Sequence, residues 1–259
     1  MRTVRLEEMT WMEVDAALRN GVVTVIIPTA STEQHGPHLP LSTDALIAAH
    51  VAELTANKLG RTLAAPVVRP GLSSHHMAFP GSLSLTPETF GSVIEECCSS
   101  LAAHGFQNFI LTSGHGGNFS YLDAVSPYLQ LVLKEKGVEA RIIPYVNLSH
   151  YLRVQQQFLH DEFGVPADHA AFHADIIETA CMLAIRPDLV QMSKAEPGWV
   201  GDTTQILDRL FVDGLRAISA NGVLGDPRQA TREIGDRLLD FLSTLMADEL
   251  RRRLGWSAE

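Results

Sequence analysis

Within the twelve residues from Glu33 to Asp44, the chain sets four side chains able to bind a metal ion: Glu33, His35, His38 and Asp44. Gly36, Pro37 and Pro40 lie among them. A helix cannot continue through prolines, which lack an N–H and clash with the preceding turn, so the stretch reads as a loop. If that loop is extended, Glu33 and His35, two residues apart, leave the same face and can reach one ion. Asp44 precedes an apolar-periodic segment, where it can cap a helix or supply a carboxylate that bridges two ions. Carboxylate and imidazole without thiolate favour zinc, manganese or iron(II) over softer metals. Each residue alone is more simply a solvated charge, a cap or, for His38, a loop hydrogen bond. Their clustering in a rigid Pro/Gly frame favours ligation.

Further donors lie downstream. Ser113-Gly114-His115-Gly116-Gly117-Asn118 is glycine-rich, so its backbone can approach an ion or substrate closely. It lacks the G-x-G-x-x-G spacing and the lysine of a phosphate-binding loop, which argues against a nucleotide site. His115 reads better as another donor to the same sheet edge. His173 and Glu178 fall in a stretch, Asp168 to Arg186, that reads as one helix stopped by Pro187. Five residues apart, they diverge by about 140° on a regular helix. Both face one cavity only if His173 sits in a frayed first turn. Glu178 lies within Ile176 to Leu183, an apolar run where an unpaired carboxylate is costly, which favours a ligand over a surface charge.

These residues must be positioned by the elements between them. Val22 to Ile27 is β-branched and apolar apart from Thr24, the pattern of a strand buried on both faces in a parallel sheet. Further strands are predicted over 63–68, 109–112 and 140–145, and helices over 45–59, 86–104, 121–136 and from Asp226-Pro227 to the Arg251-Arg252-Arg253 end. The segment from Asn147 to His160 reads as polar and mixed. Alternating strands and helices predict a three-layer α/β/α sandwich around a mainly parallel sheet, with sites at the carboxyl ends of the strands.

Five motifs carry a resemblance. Thr32-Glu33-Gln34-His35-Gly36-Pro37-His38-Leu39-Pro40 followed by Thr43-Asp44, the stretch Gly71 to Leu85, Ser113 to Asn118, His173 to Thr179, and Gly222 to Pro227 occur in order over nearly the whole chain. Together they resemble the creatininase (creatinine amidohydrolase) family of metal-dependent amidohydrolases. The resemblance implies one creatininase-like domain over residues 1–259, a homo-oligomer, often a hexamer, and two divalent ions per chain. Glu33, His35, Asp44, His115 and Glu178 are then metal ligands, with Asp44 bridging, and His173 is the catalytic histidine. Ser73, His76, Gly116, Gly117 and Asn118 are implied at the substrate. The implied reaction is attack of a metal-bound hydroxide on an amide carbonyl, with His173 delivering a proton to the departing nitrogen. Two departures from the family pattern stand out: creatininase proper has a glutamate where Gly117 stands, and no tryptophan occurs between Asn147 and His173 to frame a substrate. Both weaken the case for creatinine itself, since other members act on formylated amines, peptide ends or cyclic polyol derivatives.

Bulk properties narrow the partners. Twenty Lys and Arg against thirty Asp and Glu give a net charge of −10, which argues against nucleic acid or an anionic membrane and for a small neutral or cationic partner; the resemblance implies that this is a small amide substrate. Three cysteines, Cys97, Cys98 and Cys181, suggest no disulfide framework, and the amino terminus lacks an apolar signal core, so a soluble, unprocessed cytoplasmic protein is expected. The alternative from a different class is a non-catalytic metal-binding or assembly protein on the same fold. His173 discriminates between the two, because only a hydrolase needs it for turnover.

Overall fold

Strand β1 (Thr24–Thr29) sends Val25 and Ile27 to one face and Ile26 to the other, and all three are fully buried. A strand so buried needs helices on both sides of its sheet. The computed structural model, which describes residues 1–170, 172–202 and 205–257, has that arrangement. Strands β2 (Thr62–Ala64), β3 (Asn108–Ser113) and β4 (Arg141–Tyr145) complete a parallel sheet of order β2-β1-β3-β4. One face is covered by α1 (Trp11–Arg19), α3 (Pro87–Ala103) and α4 (Phe119–Glu135), around Phe90, Phe109 and Leu122. The other is covered by α2 (Thr43–Leu59), α6 (Ile176–Ile185) and α8 (Arg232–Leu254), around Ile26, Ile110 and Leu238. Helix α5 (Leu148–Phe163) borders this second layer, and α7 (Leu207–Asp213) packs outside it against the Ser74–His76 turn. The fold is therefore the predicted α/β/α sandwich.

Several boundaries differ from expectation. The strand predicted over 63–68 stops at Ala64: Ala65 still donates to the Ile26 carbonyl, but the next bond to β1 comes from Val68 to Pro28, one residue out of register beside Pro66, whose ring fixes the local backbone. Helix α1 was not foreseen; Thr10 and Glu13 form a capping box that starts it. Helix α5 replaces the expected mixed segment, capped by the Asn147 side chain and closed by Gly164 in the left-handed conformation. The last helix begins at Arg232 behind a Thr231 cap, not at Asp226, whose carboxylate is instead paired with Arg228. The single helix predicted over 168–186 is only α6, since Phe172 (φ 128°) and Ala174 (φ 51°) leave helical space and Asp175 caps Ile177 and Glu178.

Helix α6, which carries Glu178, is held close to α8 by a glycine. A Cβ on Gly235 would lie 2.5 Å from the Ala180 carbonyl carbon and 3.0 Å from Ala184 Cβ. Gly235→Val is therefore expected to destabilise the fold by about 2 kcal/mol, read by chemical denaturation, because the helices must part. An unchanged denaturation midpoint would contradict this packing.

Candidate metal centre

The order β2-β1-β3-β4 puts a switch point between β1 and β3, where the chain's connections run in opposite directions. The loop after β1 carries Glu33 and His35 and ends in the first turn of α2 with Asp44; the loop after β3 carries His115. Asp44 is not the cap of α2 but lies inside its first turn, buried and turned to the sheet edge. His173, on the segment before α6, exchanges backbone hydrogen bonds with Leu224, and Glu178 projects from α6 itself. The non-helical path through His173 removes the divergence expected on a regular helix.

Donor atoms converge in overlapping groups, each within 4.8 Å: Glu33, Asp44 and His115; His35, Asp44 and Glu178; Glu33, His35 and His173. Asp44 belongs to the first two. Its Oδ1 lies 2.8 Å from His35 Nε2, and its Oδ2 lies 3.3 Å from His115 Nδ1. Glu33 Oε1 is 3.1 Å from His115 Nδ1, and Glu178 Oε2 is 3.6 Å from His35 Nε2.

Backbone carbonyls set the direction of both imidazoles. His35 Nδ1 donates to the Glu33 carbonyl at 3.1 Å, and His115 Nε2 donates to the Leu72 carbonyl at 3.0 Å. A carbonyl only accepts, so the remaining nitrogen of each neutral ring turns a lone pair towards carboxylate oxygens. Only a cation, or a second proton on the ring, fits between them. Burial would lower both imidazoles, yet Asp44 with Glu178, and Glu33 with Asp44, carry His35 and His115 well above their usual range. Burial would likewise raise the carboxyls, but His115 beside Glu33 and His35 beside Asp44 hold both below theirs. Both Glu33 oxygens and Asp44 Oδ2 are buried without a hydrogen-bond partner. These residues could hold divalent ions, and the donor set suits zinc, manganese or iron(II).

His173 is oriented by Gln34. The Gly36 N–H donates to Gln34 Oε1 at 2.9 Å, which fixes the amide's orientation. The two hydrogens of Gln34 Nε2 then go to the Gly222 carbonyl at 3.2 Å and His76 Nδ1 at 3.3 Å, leaving none for His173 Nε2 at 3.0 Å. His173 Nε2 donates to the Gln34 backbone carbonyl at 2.8 Å, so Nδ1 is the free nitrogen, 3.9 Å from Glu33 Oε1. Burial and the neighbouring His35 lower its pKa, favouring the neutral ring.

The other predicted residues divide. Gly116, Gly117 and His76 line the cavity above the cluster. A Cβ on Gly117 would strike His115 Nε2 at 2.5 Å and the Leu72 carbonyl, so no side chain fits there as the loop stands. Ser73 and Asn118, expected at the substrate, lie outside the cavity lining. Ser73 bonds Ser31 and His115, and Asn118 ties Leu72, Thr29, Ala30 and Ser113 together. Both brace the ligand loops. His38 links the first loop to Thr179 of α6 at 2.9 Å. Sequence reasoning missed Gln34, Asp175, Tyr151, Gln155 and Phe172; only Gln34 and Asp175, inside matched motifs, gave any signal.

With this geometry in place, residues 7–250 match the model of the family described as creatininase, creatinine amidohydrolase. The chain belongs to the creatininase family. It is 32% identical over 240 residues to the mycofactocin precursor peptide peptidase of Mycolicibacterium smegmatis, covering 91% of this chain and 87% of that one. To the creatinine amidohydrolase of Pseudomonas putida it is 26% identical, covering 96% and 97%. The solved structure named Creatininase Mn superposes with a TM-score of 0.79 at 25% identity, covering 97% of this chain and 98% of that one. The chain is therefore a creatininase-family hydrolase.

Proposed function

We propose that this chain is a divalent-metal-dependent amidohydrolase that cleaves the C–N bond of a small amide. The observation that carries the reading is the convergence of two imidazole lone pairs on buried, unpartnered carboxylate oxygens around Asp44. In this reading Glu33, Asp44 and His115 would hold one ion and His35, Asp44 and Glu178 a second, with Asp44 common to both sets. Bound there, divalent ions lower the pKa of a water and polarise a carbonyl.

The chain's own residues supply the proton path. His173, neutral with its proton on Nε2, takes the proton of the attacking water on Nδ1 and passes it to the departing nitrogen. The Gln34 carbonyl keeps hold of Nε2–H throughout, so the ring does not turn. Glu33, 3.9 Å away, favours the transient imidazolium. Relatives named for a peptide and for creatinine leave the substrate class wider than cyclic amides alone, so peptide amides belong in the screen. The reading includes assembly of copies, with a hexamer as the expected form; exposed Phe211 and Val212 on α7 offer apolar surface for it.

Chelation should abolish hydrolysis across a panel of formamides, cyclic amides and small peptides, and added zinc, manganese or iron(II) should restore it. Hydrolysis that persists in a chelated, metal-free sample would sink the proposal.

A further inference from the structure

Helix α5 turns Leu148, Tyr151, Leu152 and Gln155 to one side, the i, i+3, i+4, i+7 spacing of a helix face. All four line the cavity that Glu33, Asp44 and His173 also line. Three of them are apolar or aromatic. Gln155 is the exception, and it is 1% exposed.

Its amide orientation is fixed. Nε2 donates to the Tyr151 carbonyl at 2.9 Å, which can only accept, so Oε1 is the other end. That oxygen is buried and has no hydrogen-bond partner. A buried carbonyl oxygen left unpaired is costly, and a group kept at such cost in a cavity wall calls for a partner that enters from the cavity. The missing partner must be a donor. Phe172 closes on Gly116 at the cavity wall, so the entering group is compact.

We propose that Gln155 is a specificity-determining residue of this site: its side-chain carbonyl accepts a hydrogen bond from a substrate N–H, selecting compact amides that carry a free N–H over their N-alkylated counterparts. The word substrate rests on the amidohydrolase reading; the recognition itself does not. A site built to bond a polar group discriminates against an analogue lacking it, because the protein's own polar atom is then left unpaired.

The test is a ligand-observed NMR titration of hydantoin and 1,3-dimethylhydantoin against the purified chain and its Gln155→Met and Gln155→Glu variants. Methionine is close to glutamine in length and shape and removes the acceptor, whereas glutamate keeps one. The wild-type chain is expected to favour hydantoin by about tenfold. Gln155→Met should lose that preference and Gln155→Glu should keep it. A methionine variant that retains the preference shows a purely steric origin and overturns the proposal, as does a wild-type chain that binds the two probes equally or neither. The expected binding pattern without hydrolysis of any amide would overturn the amidohydrolase reading alone. Hydrolysis accompanied by an unaltered preference in the methionine variant would overturn the role of Gln155 alone.

Discussion

Asp44→Asn should cost the chain both ions together and lower kcat/KM by on the order of 10³-fold, because the metal contribution to transition-state charge is several kcal/mol. Asp44 is the one residue common to the two ligand groups, with separate oxygens facing His35 and His115. Asparagine has nearly the same shape, so the fold should survive, but it brings an NH2 to a place where two imidazole lone pairs and neighbouring carboxylates demand positive charge. Elemental analysis and steady-state kinetics on the same preparation read both effects. Loss of one ion with the other fully retained would show that Asp44 does not join the two sites.

His173→Ala should do the opposite with respect to metal. Turnover is expected to fall by roughly 10² to 10⁴-fold, the range for a positioned acid–base group, while metal content stays at the wild-type level. The reason is geometric: His173 Nδ1 lies 3.9 Å from Glu33, whereas the two ligand groups around Asp44 are complete without it. A variant with full activity would assign the proton transfer elsewhere. A variant that lost metal in proportion to activity would make His173 a ligand.

How far the sequence discloses this site depends on how its residues are delivered. Glu33, His35 and Asp44 are legible because one proline-framed loop holds them all, and His115 because its glycine-rich loop follows an apolar strand. Glu178 is legible from its apolar neighbours. The supports are less so. Ser73 and Asn118 sit in the right motifs, yet whether a hydroxyl or an amide faces the cavity or the loop behind it is set by tertiary packing, which spacing does not encode. Helix α5 was hidden by its polar average: Gln155, Gln156 and Gln157 dilute a periodic face that only the finished cavity picks out. The break at Phe172 and Ala174 was hidden because two non-glycine residues with positive φ leave no mark in composition. Asp175, read as one position in a longer helix, is the cap that ends that reading.

The proposed function requires that the buried cluster hold two ions. Metal content of the purified chain, measured by elemental analysis before and after reconstitution with zinc, manganese or iron(II), tests it most directly. About two equivalents per chain is the result predicted by two ligand groups sharing Asp44. No metal as purified and none taken up on reconstitution would contradict it, leaving protons to satisfy the imidazoles that face Asp44.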